Sequence, residues 1–228
     1  MKKDIALISG ALSTPDLWQH QVKLMQNTLN VHHVDVLNSQ SVTAMAERFA
    51  KIAPDEFTLI GFSLGGYVAL ELFRYIPHKI KKLILINSSA SSVSAKGRSE
   101  RERSIDLINR GKFDFLISLI FKNSIHDQKK HGDLLPLVQQ MAKEVGSENY
   151  KYQLMAIIDK PDQSDLLSSI DCPTLLIANK HDKVMPYSCS ENLARQIKGA
   201  ELIKMENCGH LAMLEQPEAI NQILSGWL

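Results

Sequence analysis

Short apolar runs that alternate with amphipathic stretches constrain this chain more than any other feature of its sequence. Phe57–Ile60 and Thr174–Ala178 are largely apolar and show little of the every-second-residue alternation of a strand with one wet face. Such runs are typical of parallel strands that helices cover on both sides, so the alternation predicts an α/β fold with a mostly parallel sheet. The predicted strands are Asp4–Ser9, Val31–Val36, Phe57–Phe62, Lys82–Asn87, Thr174–Ala178 and Glu201–Met205, and the predicted helices between and after them are Asp16–Gln26, Val42–Ile52, Leu64–Tyr75, Tyr187–Ile197 and Pro217–Trp227.

The interval between the fourth and fifth predicted strands breaks this rhythm. It contains no strand pattern, but helical patterns recur at Lys112–Lys122, Asp133–Val145 and Glu148–Ile158. We therefore predict a core formed by residues 1–87 and 173–228, with a helical lid insertion at residues 88–172. The charged run Lys96–Arg110 is interpreted as a solvated helix face, because a charge run is usually solvated.

Charge and cysteine content exclude several classes of partner. The 228 residues include 26 Lys and Arg against 25 Asp and Glu, so a net charge of +1 gives no reason to expect a nucleic acid or an anionic membrane as a partner. Cys172, Cys189 and Cys208 have neither the spacing of a metal site nor that of a disulfide framework. We expect no metal and a reducing, cytoplasmic location.

The segment Gly61-Phe62-Ser63-Leu64-Gly65 follows a predicted strand and precedes a predicted helix. In that context, Gly-x-Ser-x-Gly predicts a sharp turn that lifts the Ser63 hydroxyl above the sheet, near a helix N-terminus. A glycine-rich turn with an N-cap serine is the alternative. A serine nucleophile needs a base, and the base needs an orienting acid, which in this motif follow in the order Ser, acid, His.

Asp182 and His210 meet that requirement. Asp182 lies in the loop after the run Thr174–Ala178, and His210 lies after Glu201–Met205, next to Gly209 and before the last helix. Parallel strands place both loops at the same sheet edge as Ser63. His181 is the neighbouring competitor and is expected to point away, while Cys208 is interpreted as a small packing residue.

An acyl-transfer site also needs two backbone N–H groups for the oxyanion of the tetrahedral intermediate. One is expected from Leu64, the residue after the nucleophile. The other is expected from the loop after the first strand, where Ala11 is the first choice and Leu12 the alternative.

These residues together resemble the alpha/beta-hydrolase superfamily, in particular its small bacterial esterase-like members. The resemblance spans the chain and rests on Gly61–Gly66, on Pro173–Ile177 leading to Asp182, and on Cys208-Gly209-His210 followed by the residues 214–218. It implies the alpha/beta-hydrolase fold, a Ser-His-Asp triad, no cofactor and a lid at the insertion. Two departures are Ser9-Gly10, where family members commonly carry His-Gly, and a start at what resembles the third strand, so that about six strands are expected.

The resemblance implies a serine hydrolase that cleaves carboxylic esters or thioesters of small molecules through an acyl-enzyme. A carbon–carbon bond hydrolase, or a lyase of the menaquinone-pathway type, would use the same triad, and a hydrolase-fold receptor would bind a ligand with slow turnover. Segments Phe113–Phe121 and Tyr150–Ile158 are candidates for the lining of an acyl pocket. A solvated face is favoured for the insertion's arginines, although they would bind a carboxylated substrate if they faced inward: Arg98, Arg101, Arg103 and Arg110.

Overall fold

A six-stranded, wholly parallel sheet forms the centre of the molecule, with strand order β2-β1-β3-β4-β5-β6. The computed structural model describes residues 2–228. The fold is the alpha/beta-hydrolase fold expected from the sequence, and the strand ends differ from the predicted ones by no more than two residues. The strands are β1 (Lys3–Ile8), β2 (Leu29–Val34), β3 (Phe57–Phe62), β4 (Ile80–Ile86), β5 (Thr174–Asn179) and β6 (Glu201–Met205).

Burial along the strands follows their place in the sheet. Every residue of β5 is buried, and β3 is buried except at Thr58, whereas the edge strands β2 and β6 are mostly half-buried or exposed. The apolar runs without alternation therefore mark the inner strands, because helices cover these on both faces.

Helices form the two outer layers. Successive residues of β1 face opposite layers: Ala6 and Ile8 pack in one core cluster, and Ile5 and Leu7 pack in the other, against Trp18. Among residues 2–228, no helix is both long and apolar enough to cross a membrane. The helices are α1 (Gln19–Met25), α2 (Val42–Ala50), α3 (Leu64–Tyr75), α4 (Ala95–Asn109), α5 (Phe113–Ser124), α6 (His131–Asp159), α7 (Ser164–Leu167), α8 (Tyr187–Gln196), α9 (Ala212–Glu215) and α10 (Pro217–Trp227), and short 3-10 turns lie at Pro15–Trp18 and Pro77–Lys79.

Helices α4 to α7 lie between β4 and β5, in the interval predicted as an insertion. Helix α6 covers both of the segments predicted as separate helices and is kinked between them at Gly146, whose φ of 75° is not helical. The insertion has a small apolar core of its own, in which Leu116, Ala142 and Leu154 pack together with Leu12 from the loop after β1. This contact seats the insertion on the carboxyl ends of the strands, where binding sites of open α/β sheets lie.

Candidate active site

The turn at Ser63 is the most constrained backbone in the site. Ser63 has φ 53° and ψ −115°, a conformation that side chains rarely adopt, between the end of β3 and the start of α3. A Cβ atom at Gly61 would lie 2.5 Å from the Gly65 carbonyl oxygen, and one at Gly65 would lie 2.3 Å from that of Ile8. Only glycine permits this close approach of helix and strand, which leaves the Ser63 side chain partly exposed at the sheet edge.

Ser63, His210 and Asp182 form one hydrogen-bonded chain. His210 Nε2 lies 3.1 Å from Ser63 Oγ, and His210 Nδ1 lies 2.6 Å from Asp182 Oδ2. An ionised carboxylate only accepts hydrogen bonds, so Nδ1 carries the proton that it donates to Asp182, and Nε2 is left free to accept from the serine hydroxyl. The geometry thus brings the predicted nucleophile, base and orienting acid to hydrogen-bonding distance of one another.

The backbone of its own loop holds the Asp182 carboxylate in place. Its second oxygen, Oδ1, accepts the N–H groups of Val184 and Met185 at 2.7 and 2.8 Å. The carboxylate is completely buried, and the imidazole of His210 is only 7% exposed. Burial removes competing water, so these few contacts determine the orientation of the ring.

Two asparagines at strand ends support the loop that carries His210. Asn87 follows β4 and donates from Nδ2 to the His210 carbonyl oxygen at 2.9 Å, while its Oδ1 accepts the N–H of Asn179 at 3.1 Å. Asn179 ends β5 and donates to the Gly209 carbonyl oxygen. Neither asparagine was predicted as a site residue, although a polar residue at the end of a buried apolar run indicates this edge of the sheet.

The insertion also holds this loop. The His210 N–H donates to the Ser124 carbonyl oxygen, at the end of α5, at 2.7 Å. The Glu215 carboxylate, 1% exposed, accepts the N–H groups of Gly209 at 2.8 Å, His126 at 3.0 Å and Asp127 at 2.7 Å. Glu215 therefore ties the loop of His210 to the loop after α5, a role that sequence patterns do not reveal.

Cys208 lies beside this carboxylate and is fully buried. Burial, together with the negative charge of Glu215, raises the pKa of the Cys208 thiol well above its usual range. The thiol stays protonated, which fits the interpretation of Cys208 as a packing residue rather than a nucleophile.

The loop after β1 lies next to Ser63 and carries the candidate oxyanion donors. Leu12 adopts φ 58°, and its N–H donates to Gln153 Oε1 of α6 at 3.1 Å. Trp18 Nε1 donates to Ser9 Oγ at 3.0 Å, so this hydrogen bond supports the start of the loop. Leu64 is the first residue of α3, where an N–H has no intrahelical partner.

A cavity of about 530 Å³ opens above Ser63 and His210. Both segments proposed as lining contribute to it, with Ile117, Ile120 and Phe121 from one and Tyr150, Leu154 and Ile157 from the other. His181 does not reach it; its ring stacks on that of His126 at 4.1 Å between centroids.

The expectation that the insertion's arginines form a solvated face is wrong for Arg101. Arg98, Arg103 and Arg110 are exposed, but Arg101 is half-buried and lines the cavity. The inward face of helix α4 carries Arg101, Ser104 and Ile108, which are three and four residues apart and so lie on one side of the helix. The many charged residues of this segment hide that pattern in the sequence.

Comparison with known proteins identifies the family. A model of the alpha/beta hydrolase family matches residues 5–223, so the chain belongs to this family of hydrolases. A putative carbamate hydrolase, RutD, from Serratia proteamaculans is 27% identical over 98% of this chain and 90% of its own. Pyrrolizixenacetamide deacetylase from Xenorhabdus hominickii is 30% identical over 82% of this chain and 70% of its own. The structure of a thermophilic esterase from Thermogutta terrifontis, with malate bound, superposes over all of this chain and 89% of that one with a TM-score of 0.90 at 22% identity.

Proposed function

We propose that this protein is a serine hydrolase that cleaves carboxylic ester or thioester bonds of small molecules through an acyl-enzyme. The observation that carries the proposal is the hydrogen-bonded chain from Ser63 Oγ through His210 to Asp182, at 3.1 and 2.6 Å, at the floor of a cavity. The membership in the alpha/beta hydrolase family supports it.

The reaction follows from the positions of these groups. Ser63 Oγ attacks the substrate carbonyl carbon while His210 Nε2 takes its proton, and Asp182 stabilises the imidazolium that forms. His210 then gives this proton to the leaving oxygen or sulfur, and the acyl group stays on Ser63. Water attacks the acyl-enzyme with His210 again as base, which releases the carboxylic acid and restores Ser63.

The N–H groups of Leu64 and Ala11 are proposed to hold the oxyanion. The N–H of Leu12, the alternative to Ala11, already donates to Gln153 Oε1. Removal of one oxyanion donor typically lowers kcat by about 10²–10³. The proposal needs neither a metal nor a cofactor, and the three free cysteines favour a reducing, cytoplasmic location.

Short-chain para-nitrophenyl esters test the proposal directly. Wild type should release nitrophenolate from the acetate or butyrate ester, and Ser63→Ala should lower kcat by about 10⁴-fold or more. A fluorophosphonate probe should label Ser63 in wild type and should fail to label His210→Ala.

His181→Ala provides the matched control, because His181 adjoins Asp182 but stacks on His126 rather than joining the chain. It should keep probe labelling. Ester turnover that survives in Ser63→Ala would rule the mechanism out. An enzyme that is neither labelled nor active, but is stabilised by ligands, would support the receptor alternative.

A further inference from the structure

The cavity above Ser63 is apolar over most of its roof, but it contains one half-buried cation without a carboxylate partner. Arg101 lines it next to Tyr150, and no Asp or Glu carboxylate lies within ion-pair distance of Arg101 anywhere in residues 2–228. Two arginines near it are paired instead: Arg98 of α4 with Asp159 at 3.3 Å, and Arg110, directly after α4, with Asp106 at 3.0 Å. Arg103 has no ion pair either, but it is exposed, so within residues 95–110 only Arg101 is an arginine that is both unpaired and turned toward the cavity.

The guanidinium of Arg101 has most of its donor capacity free. Nη1 donates to the Gly97 carbonyl oxygen at 2.9 Å, and this is its one protein hydrogen bond in the described chain. A guanidinium has five N–H donors in a planar fork that matches the two oxygens of a carboxylate. The free donors suit a bidentate anionic ligand.

Buried groups surround Arg101 on its inner side. Burial raises the pKa of Tyr67 to about 12 and also raises that of Tyr150, and the positive charge of Arg101 partly opposes both shifts. Burial also lowers the pKa of Lys160 to about 8, and Arg101 adds to this lowering. The field of Arg101 therefore reaches into the protein, where the lower dielectric strengthens its attraction for an anion.

The other charges of the cavity do not cancel Arg101. Glu100 is exposed and lies 3.9 Å from Lys96, and it is the single acidic residue among the lining residues. Lys183 adds a second positive charge, but it is exposed and lies beside the exposed Val184, at the rim. Arg101 therefore supplies the positive charge of the inner part of the cavity, and no acidic lining residue lies beside it there.

We propose that this cavity accepts esters whose acyl chain carries a free carboxylate, and that Arg101 binds this carboxylate. The acyl group is the part that remains on Ser63 after the alcohol has left, so it occupies the buried part of the cavity, which Tyr150 and Leu154 line. The apolar roof covers the methylene chain between the two polar ends. This inference rests on the proposed ester hydrolysis and specifies its substrate class.

The test compares two substrates that differ by one methyl group. These are para-nitrophenyl hydrogen glutarate, which carries a free carboxylate, and its methyl ester, which is neutral. Wild type should show a kcat/KM at least about tenfold higher for the acid, because hydrogen bonds between charged groups contribute more than neutral ones. Arg101→Met keeps an apolar stem without the charge and should remove this preference, so that kcat/KM for the acid and for the methyl ester of this variant agree within about threefold.

Two exposed residues serve as controls. Arg103→Met removes the same charge two residues away, from the solvent side of α4, and should preserve the preference. Lys183→Met removes the positive charge at the rim. A preference that Arg101→Met retains, or that Lys183→Met abolishes instead, would overturn the assignment of the carboxylate to Arg101.

A binding measurement separates this inference from the hydrolysis on which it rests. Ser63→Ala should bind monomethyl glutarate in calorimetry at least about tenfold more tightly than the Ser63→Ala, Arg101→Met double variant does. Cleavage of the neutral ester without preference for the acid leaves the hydrolase proposal standing and refutes the carboxylate site. Tighter binding through Arg101 without cleavage of either ester refutes the hydrolase proposal and leaves the carboxylate site standing.

Discussion

Glu215→Gln tests whether the buried carboxylate of Glu215 holds the loop of His210 to the insertion. Oε1 accepts the N–H groups of His126 and Asp127 at 3.0 and 2.7 Å, and Oε2 accepts that of Gly209 at 2.8 Å. A glutamine amide has one acceptor oxygen and one NH₂ donor. If the oxygen keeps the two contacts to the insertion, the NH₂ group faces the N–H of Gly209.

The expected loss follows from this geometry. One hydrogen bond to a charged acceptor is removed, and two donors are left facing each other in a site that is 1% exposed, so we expect a loss of about 2–3 kcal/mol in the free energy of unfolding. For a chain of this size each kcal/mol corresponds to roughly 2–4 °C in Tm. The melting temperature should therefore fall by about 4–12 °C.

Activity should fall as well, because Gly209 directly precedes His210. A small displacement of the imidazole from Ser63 Oγ lowers kcat/KM for an ester by roughly tenfold or more. Thermal unfolding by circular dichroism and nitrophenyl ester kinetics measure the two effects. Glu218→Gln is the matched control, since Glu218 is exposed and its carboxylate has no hydrogen bond or ion pair with another side chain in the described chain. A Tm within about 1 °C of wild type together with unchanged kcat/KM would refute the positioning role of Glu215.

Two further predictions concern the insertion. Gln153→Leu removes the acceptor of the Leu12 N–H, but it also removes a buried Nε2 that has no partner among residues 2–228. The free energy of unfolding should therefore change by no more than about 1 kcal/mol, while kcat falls roughly tenfold at similar KM. A fall in kcat together with an equally clear loss of stability would mean that Gln153 has only a structural role. Lys160→Met tests the lysine whose pKa is lowered by burial from 10.5 to about 8. Between these two pH values the unfolded chain still holds a proton that the folded chain has released, so folding becomes more favourable as the pH rises. The free energy of unfolding of wild type should therefore rise by about 3 kcal/mol relative to the variant between pH 8 and 10.5. Denaturant midpoints across this range measure the difference, and curves that stay parallel would contradict it.

The sequence predicted the parts of the site in which residue type and chain position agree. Ser63, Asp182 and His210 follow strands of one parallel sheet, so the order of the elements already requires that their loops meet at one edge. The glycines around Ser63 were informative because the backbone there excludes any side chain. The inner strands were predicted closely because they are buried on both faces, and such strands have continuous apolar sequences.

The supporting residues were missed because their roles exist only in three dimensions. Glu215 and Gln153 look in sequence like ordinary polar residues of helices, and their roles come from the N–H groups of His126, Asp127 and Leu12, which are distant along the chain. Arg101 was misjudged for a related reason. A run of alternating charges indicates a solvated helix, and only the docking of α4 over the sheet edge shows which turn of it faces the cavity.

The contact between Ser124 and His210 limits how this fold can be rebuilt. Because the carbonyl at the end of α5 holds the backbone of His210, and Glu215 binds the loop that follows, the insertion is not a separable module. A chimera that exchanges the helices lining the cavity with those of a relative should keep residues 124–127 of this chain and change only what precedes and follows them. A deletion of the whole insertion would remove the support of the imidazole along with the roof.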